Sequence, residues 1–457
     1  MADDMGLGDV HVYDNTSTIP TPNMDYLAHE GIRFTDAHSP TSVCSPSRYS
    51  ILTGRYPFRS ILKGRVLRSA YERPLLDATH ETIQELMKRA GYHTAAFGKW
   101  HLGMTFTNRN GDGPALSGVD TSMFTTRDVD FSRPILDGPV NHGFDYFFGI
   151  ASGTNHGPYT FIENDRITET PTHIRKETII SGKRPLREGW IAPGWADDQL
   201  GATVLENALA HLQSHVKEKP NTPFFVYYAA TANHWPHIPP DEINGKAIKG
   251  KGGNDNISPD RNDMVVENDV ILGELLAFLD DPDGDGDNAD SITDNTLIIV
   301  TSDNGADIGQ YAQIKGRKGS IYEGGHRVPF IVRWPGRIQP DTSSDQVISL
   351  IDMYASLSEL TKTEPDKEAA VDSRNILPAL LGTEKPDWTR GPILQQATGK
   401  TDLFSIRDGD WKLIIKNDYP VELYNLATDL KESDNLVNKN TRQTSRLMKL
   451  YRSIISG

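Results

Sequence analysis

The sequence predicts an α/β protein: a large, mainly parallel sheet sandwiched by helices, with a small C-terminal antiparallel sheet plus helix. The first observation is a set of short, continuous apolar runs, typical of parallel strands buried on both faces, over 224–228, 296–301 and 330–334. Segments with helical spacing of apolar residues alternate with these runs. The length of 457 residues exceeds one ordinary core and predicts one large unit and one smaller unit.

Capping residues and apolar spacing predict the other elements of the larger unit. Pro22, directly after Thr21, is typical of the first turn of a helix, and Gly91 is typical of a residue that ends one. We expect helices over 22–31, 79–91 and 269–279, and a strand over 92–97.

The pattern changes after about Pro386. Two apolar segments, 403–406 and 411–415, flank Asp408 and Gly409, a connection typical of a β-hairpin. A polar helix is expected over 441–455. We therefore assign residues 1–385 to the larger unit and residues 386–457 to a C-terminal subdomain.

Composition excludes several classes of protein. The formal net charge is -15, which argues against nucleic acid as a partner. No apolar stretch reaches the length that a membrane span needs. The chain has 1 cysteine, so it forms no internal disulfide.

That cysteine lies in the most informative stretch, which reads Cys44-Ser45-Pro46-Ser47-Arg48 and continues to Leu52-Thr53-Gly54-Arg55. Taken alone, a thiol near guanidinium groups is either a nucleophile of lowered pKa or a small buried side chain. It does not fit a cysteine phosphatase loop, which has an arginine six places after the cysteine, because Ser50 stands at that position here. The string resembles the signature of the type I, arylsulfatase-like sulfatases of the alkaline-phosphatase-like superfamily. In that family a maturation enzyme oxidises the cysteine to formylglycine.

Two acidic turns follow strand ends at opposite ends of the chain. They supply four hard oxygen donors, a set that suits Ca²⁺ or Mg²⁺ and not zinc: Asp3, Asp4, Asp303 and Asn304. Taken alone, such turns are more often solvated caps. The resemblance implies that all four bind calcium, with the modified residue 44 as a further ligand; Mg²⁺ is the lesser expectation.

The resemblance also implies the catalytic roles. Lys99 and Lys318 would bind sulfate, with Arg48 holding charge and steadying the formylglycine hydrate. That hydrate would attack sulfur. His237, with Lys318, would protonate the departing alcohol, and His101 would take a proton so that sulfate is expelled.

Three weaker candidates for substrate binding follow: His156, His234 and Ser152. Ser152 is ambiguous because the family's sulfate-contacting serine aligns with either Ser152 or Gly153. A loop over 281–287 has acids at alternate positions, as in a calcium-binding EF-hand, but Ile292 stands where the twelfth-position carboxylate belongs. We expect a solvated loop there more than a second calcium site.

The implied function is hydrolysis of sulfate monoesters, aryl or carbohydrate, by residues 1–385 as the catalytic domain. The polar, aromatic-poor segments 103–139 and 168–195 favour a carbohydrate. The alternatives are a phosphonate or phosphate ester hydrolase of the same superfamily, or a non-catalytic, calcium-dependent glycan binder; the intact catalytic set argues against the binder. The expected partners are a sulfated small molecule or saccharide and the maturation enzyme.

The start of the chain differs from the family pattern. There, the Ala-Asp-Asp-Met-Gly string follows a buried strand and a secretion signal, whereas here it begins at Ala2. The resemblance implies a periplasmic or secreted protein, and we expect the two aspartates to be held less firmly without that strand.

Overall fold

The structure is a computed structural model that describes residues 1–119, 121–180, 184–253, 258–308, 314–366, 368–385, 387–398 and 402–457. The α-helices within these residues are Pro22–His29 (α1), Cys44–Thr53 (α2), Ile83–Arg89 (α3), Leu200–Glu218 (α4), Pro259–Asp280 (α5), Glu323–His326 (α6), Met353–Thr361 (α7), Leu377–Leu380 (α8) and Thr441–Ser456 (α9).

The strands are Ile32–Phe34 (β1), Ala37–His38 (β2), His93–Lys99 (β3), Tyr146–Ile150 (β4), Ile162–Glu163 (β5), Arg166–Ile167 (β6), His173–Arg175 (β7), Gly189–Ile191 (β8), Phe224–Ala229 (β9), Glu242–Ile243 (β10), Lys246–Ala247 (β11), Ile298–Thr301 (β12), Phe330–Arg333 (β13), Thr342–Ser344 (β14), Ile348–Ser349 (β15), Ile393–Gln396 (β16), Leu403–Asp408 (β17), Trp411–Lys416 (β18) and Tyr419–Asn425 (β19).

Two sheets form the centre of the larger unit. One has the order β6-β5-β4-β3-β9, with β3 parallel to both β4 and β9. The other has the order β12-β13-β1-β14, in which β13 is antiparallel to both of its neighbours. The first two residues lie between the sheets: Ala2 N donates to Thr301 O at 2.8 Å, and the Met1 amine donates to Tyr228 O at 2.8 Å. The carboxyl ends of β9 and β12 therefore meet beside the start of the chain.

Helices cover both faces of these sheets, as expected for the predicted class. Along β13, Phe330 and Val332 pack into a core with α2, α3 and α7, while Ile331 packs on the opposite face against α1 and α5. Successive strand residues point to opposite faces, so this alternation marks a sheet buried on both sides. Among the described residues, none of the helices has the length and apolar character to span a membrane.

The C-terminal elements form an antiparallel sheet of β16, β17, β18 and β19, in that order. The predicted hairpin is β17–β18, and the predicted helix is α9, whose Leu447, Met448 and Tyr451 pack on the sheet. Buried Lys412 of β18 pairs with Glu323 of α6 at 2.9 Å, which joins this sheet to the larger unit. The expected boundary at 386 lies outside the described residues, so the division into two domains stays a prediction.

Two helices differ from the sequence expectation. The second helix begins at Ile83 and not near Thr79, because Thr82 is its N-cap: the Thr82 hydroxyl accepts from Glu85 N and the Glu85 carboxylate accepts from Thr82 N. Helix α5 begins at Pro259 and not at 269. Its first turns carry buried polar residues, which conceal the apolar spacing in the sequence.

We predict that Gly149→Ala destabilises the protein by about 3 kcal/mol, the upper range for overpacking. Gly149 of β4 lies opposite Gly98 of β3, and a Cβ on it would lie 1.9 Å from the Gly98 carbonyl oxygen. Thermal unfolding measures the effect. The matched control is Gly113→Ala, whose Cβ would meet only an Asn108 side-chain nitrogen at 3.5 Å. Equal melting temperatures for the two variants would contradict the prediction.

Candidate active site

The predicted site residues converge where the strands end. Cys44 is the first residue of α2, and every residue of that helix is buried. Lys99 ends β3, and Asp303 follows β12. In open α/β sheets, ligands bind beyond the carboxyl ends of the strands, and this is where these side chains meet.

An acidic cluster surrounds the cysteine. One side-chain atom from each of Asp3, Asp4, Cys44 and Asp303 lies within 4.8 Å of the others. The Asn304 amide nitrogen donates to Asp4 Oδ1 at 2.8 Å, and its buried Oδ1 has no hydrogen-bond partner within the described chain. Carboxylate oxygens around one point fit a hard cation such as Ca²⁺ or Mg²⁺. The two aspartates expected to be loosely held are fully buried and bonded.

Burial and mutual repulsion raise the pKa values of two of the clustered carboxylates, whereas Lys99 and Arg48 hold the pKa of Asp3 well below its usual range. Burial, opposed by Lys318 and reinforced by the nearby carboxylates of Asp3, Asp307 and Asp303, raises the pKa of Asp4 to about 7. Burial and Asp3 also raise the pKa of Asp303. Groups forced together with raised pKa values are typical of functional sites and favour a bound cation.

Three cationic side chains line the other side of the cluster. Arg48 Nε donates to Asp303 Oδ2 at 2.9 Å, and Arg48 Nη1 donates to the Lys99 carbonyl oxygen at 2.8 Å. The Lys99 ammonium contacts Asp3 directly. The Lys318 ammonium lies 2.5 Å from Asp4 Oδ1 and 3.3 Å from Cys44 Sγ. Residue 44 thus lies between carboxylates and cations.

The cysteine side chain itself is a poor nucleophile. Burial, followed by the charge of Asp3, raises the pKa of the Cys44 thiol far above its usual range, although Lys318 and Lys99 oppose this. The thiol stays protonated at neutral pH, whereas the thiolate is the reactive form. Of the interpretations left open by the sequence, the geometry therefore does not favour an activated thiol.

Two histidines each present one free ring nitrogen. His101, whose φ is +57°, donates from Nε2 to the Leu67 carbonyl oxygen at 3.0 Å, and its buried Nδ1 has no partner among the described residues. His234 donates from Nδ1 to the Trp235 carbonyl oxygen at 2.7 Å. A carbonyl oxygen only accepts, so the proton is on the bonded nitrogen and the other carries a lone pair. Burial and Lys99 hold the pKa of both histidines well below the usual range.

Of the two histidines that follow β9, the weaker candidate from the sequence is the one whose ring lies near the cluster. His234 was the weaker candidate, yet a ring nitrogen of His234 lies within 4.8 Å of both Asp3 and Cys44. His237 was assigned to protonate the alcohol, but the charges that act on it are Asp307, Arg261 and Arg184. His234 thus faces the cluster, and the catalytic role expected of His237 stays a prediction.

Comparisons with known proteins decide the family. The family description Sulfatase matches residues 1–363, and the description "N-sulphoglucosamine sulphohydrolase, C-terminal" matches residues 316–454. The chain belongs to the sulfatase family. It is a sulfuric ester hydrolase with the alkaline-phosphatase-like fold, as the cysteine string predicted.

Individual relatives agree with this. The chain is 30% identical to an N-acetylgalactosamine-6-O-sulfatase of Bacteroides thetaiotaomicron, over 99% of this chain and 91% of that protein. It is 30% identical to the human N-acetylgalactosamine-6-sulfatase, over 87% of this chain and 69% of that protein. A solved structure described with glycosaminoglycan metabolism by B. thetaiotaomicron has a TM-score of 0.81 and 27% identity, and covers 100% of this chain and 98% of that one. A phosphonate monoester hydrolase of Agrobacterium radiobacter has a TM-score of 0.61 at 20% identity, covering 100% and 94%, and shares the fold.

Sequence reasoning missed the residues that hold this sulfatase site in place. Buried Arg261 of α5 forms two bonds of 2.6 Å to the Asp9 carboxylate and donates to the Asp4 carbonyl oxygen at 2.9 Å. The Thr154 hydroxyl donates to Trp235 O at 2.7 Å and so supports the His234 loop. Neither residue lies in a recognisable string, so no sequence signal was available.

The weaker candidates lie close to the site. Burial lowers the pKa of His156 to about 3, and its ring stacks on Phe124. The buried Ser152 hydroxyl has no hydrogen-bond partner within the described residues. Gly153 lies near His234, since a Cβ added to this glycine would be 3.6 Å from the His234 ring. The Arg187 guanidinium lies 4.5 Å from the centre of the Phe124 ring, so segments 103–139 and 168–195 meet.

The expectation of a solvated acidic loop at 281–287, more than a second metal site, stays a prediction. Side-chain oxygens of Asp281, Asp283 and Asp285 lie within 4.8 Å of one another. Both Asp281 oxygens already accept backbone hydrogen bonds, from Gly284 at 2.8 Å and Gly286 at 3.0 Å. The cluster is thus satisfied by its own turn.

We predict that Arg261→Met destabilises the protein by about 3–5 kcal/mol, because it leaves the buried Asp9 carboxylate unpaired. The double variant Asp9→Leu/Arg261→Met removes both charges and is expected to recover part of this loss. Thermal unfolding of the single and double variants tests the prediction. If the double variant is as unstable as the single one, charge pairing is not the cause.

Proposed function

We propose that the protein hydrolyses the 6-O-sulfate of a saccharide through formylglycine at position 44. The observation that carries this proposal is the placement of residue 44: it is buried between an acidic cluster and three cationic side chains. A sulfate ester needs cations at its non-bridging oxygens and a nucleophile opposite the leaving oxygen. This position supplies both.

Formylglycine is the form of residue 44 that the proposal requires, produced from Cys44 by a maturation enzyme. As a hydrate it supplies one hydroxyl for attack on sulfur and a second one for the later release of sulfate. The raised pKa of the unmodified thiol supports this, because a buried neutral thiol would not attack a sulfate anion.

Calcium is the cation that the acidic cluster fits best. Asp3, Asp4 and Asp303 would hold it with Asn304 Oδ1, and it would supply positive charge at residue 44. Carboxylate and amide oxygens in an irregular cluster suit calcium, whereas magnesium demands near-ideal octahedral geometry. Magnesium is therefore the lesser candidate.

The remaining side chains have roles that follow from their geometry. Lys99, Lys318 and Arg48 bind the charge of the sulfate. His101 accepts a proton at Nδ1, its free nitrogen, when sulfate is expelled. The negative charge of bound sulfate raises the pKa of His234, so that its free ring nitrogen takes up a proton from solvent; His234, together with Lys318, then protonates the departing alcohol.

The proposed substrate is a 6-O-sulfated N-acetylgalactosamine or a saccharide that contains it. The names of two relatives at 30% identity support this choice. Phosphonate ester hydrolysis is the second candidate, supported by the fold shared with the A. radiobacter enzyme. Family resemblance further supports a periplasmic or secreted protein.

We predict that co-expression with a formylglycine-generating enzyme converts Cys44 and switches on sulfatase activity. Mass spectrometry of the tryptic peptide 34–48 should show an aldehyde in place of the thiol. Turnover of 6-O-sulfated N-acetylgalactosamine should follow the converted fraction, and Cys44→Ala should reduce it to background. Full activity in unconverted protein would refute the mechanism, and faster cleavage of an aryl phosphonate than of any sulfate would favour the second candidate.

We also predict that calcium stabilises the protein through the acidic cluster. A free calcium concentration of 100 times the dissociation constant should add about 2.7 kcal/mol to the free energy of unfolding. Asn304→Ala should weaken this effect, while the matched loop variant Asp283→Asn should retain it. Titration in a thermal-shift assay, with EDTA-treated protein as the reference, measures the difference. A loss confined to Asp283→Asn would place the calcium in the 281–287 loop.

A further inference from the structure

A second polar group adjoins the catalytic cluster and has no role in the proposed reaction. Asp307 lies four residues after Asp303, His237 follows the His234 loop, and Arg184 comes from the segment before β8. Arg184 Nη1 donates to Asp307 Oδ2 at 3.0 Å. The Asp307 side chain is 5% exposed and that of Arg184 is 61% exposed, so the pair runs from the wall of the site to solvent.

Two atoms of this group are buried and unsatisfied. Asp307 Oδ1 and His237 Nε2 have no hydrogen-bond partner within the part of the chain that the structure describes. Leaving such an atom unpaired costs about 1–3 kcal/mol, so native proteins satisfy nearly all of them. A buried polar atom that faces a binding site is unpaired only in the free protein when a ligand provides its missing partner.

The chemistry of the two atoms specifies that partner. A carboxylate oxygen only accepts hydrogen bonds. Burial lowers the pKa of His237 to about 4, so the ring is neutral, and we take its unsatisfied Nε2 as the nitrogen that carries the lone pair. The wall therefore offers two acceptors and needs two donors. Neighbouring hydroxyls of a sugar, or a hydroxyl and an amide N–H, supply them.

The position of the group ties it to the sugar that carries the sulfate. Asp307 lies four residues after Asp303, which is in the acidic cluster. The Ala306 carbonyl oxygen accepts from the backbone N–H of Lys318 at 2.9 Å, so Asp307 lies beside the loop that holds the sulfate-binding lysine. A donor that reaches Asp307 thus belongs to the ring next to the scissile bond.

We propose that Asp307 and His237 determine specificity by binding hydrogen-bond donors on the sugar ring that bears the sulfate. Arg184 is a positioning residue, because it engages Asp307 Oδ2 and leaves Oδ1 for the sugar. This inference rests on the proposed function. It adds that a plain aryl sulfate, which lacks such donors, gains nothing from these residues.

The first test compares two esters, 6-O-sulfated N-acetylgalactosamine and 4-nitrophenyl sulfate, on matured enzyme. Asp307→Ala and His237→Ala should each lower kcat/KM for the sugar by about 10- to 100-fold, the range for lost hydrogen bonds of this kind. The loss in kcat/KM for the aryl sulfate, which lacks the donors of the sugar, should be much smaller than the loss for the sugar. The matched control is Asp345→Asn, an exposed acid outside the site. Parallel losses on both esters would overturn the proposal.

Deoxy sugars identify the donors. Wild-type enzyme should show lower kcat/KM for the 3-deoxy and 4-deoxy forms of the 6-sulfate than for the intact sugar. The decrease should equal the one that Asp307→Ala or His237→Ala shows on the intact sugar. Combining the matching variant and deoxy sugar should give no further loss, the signature of a direct pair. Additive losses would overturn the assignment.

Arg184 gives a separate readout. Arg184→Ala should raise KM for the sugar and leave kcat nearly unchanged, and Arg184→Lys should restore much of the loss. An Arg184→Ala effect as large as that of Asp307→Ala, on both esters, would mean that the pair is structural.

A binding assay keeps this inference apart from the proposed function. Calorimetry with 6-O-sulfated N-acetylgalactosamine and Cys44→Ala protein measures recognition without turnover. If Asp307→Ala in that background weakens binding about 10-fold or more, sugar recognition by Asp307 is supported. This holds even where wild-type enzyme cleaves neither ester, in which case only the proposed reaction fails. Unchanged binding with an unchanged melting temperature would overturn the proposed sugar recognition and would not affect the proposed reaction.

Discussion

The structure depends on one electrostatic constraint: three buried carboxylates and residue 44 converge on a space of less than 5 Å. Burial of unpaired charge is prohibitively costly, so such a cluster exists only with opposite charge supplied around it. Arg48, Lys99 and Lys318 supply that charge from three different elements. The guanidinium of Arg48 is fully buried and also bonds the Lys99 carbonyl oxygen, so it fixes both the helix that begins at residue 44 and the end of β3.

This constraint explains why the site lies where two sheets meet. Asp3 and Asp4 follow residues that bond both Tyr228 and Thr301, which places them between the carboxyl ends of β9 and β12. Several strand ends contribute polar side chains, and no single element contributes all of them. Polar residues buried on α5, Arg261 above all, form the supporting layer, and they bond the backbone of the aspartate turn as well as its neighbouring acid. Residues that touch no substrate thus set the position of those that do.

The sequence predicted the parts of this arrangement that are encoded locally. Cys44 with Arg48 and Asp303 with Asn304 each lie within a short string, and the apolar runs located β9, β12 and β13. Properties that depend on long-range packing were not predictable. The start of α5 was missed because its buried polar residues serve the site and break the apolar period. His234 and His237 are three residues apart in one loop, and spacing alone does not tell which ring faces residue 44. Arg261 and Asp307 gain their meaning only from partners that are distant in sequence.

Under the proposed function, the two lysines would link the cation site to the sulfate site. Each ammonium group now pairs with a carboxylate of the cluster, Lys99 with Asp3 and Lys318 with Asp4. The same group cannot fully neutralise its carboxylate and also neutralise a sulfate oxygen. In the proposed reaction, a cation held by the carboxylates would take over the first task and leave the ammonium groups free for the second. Metal affinity and substrate affinity would then be coupled through these two side chains, and by linkage each would strengthen the other.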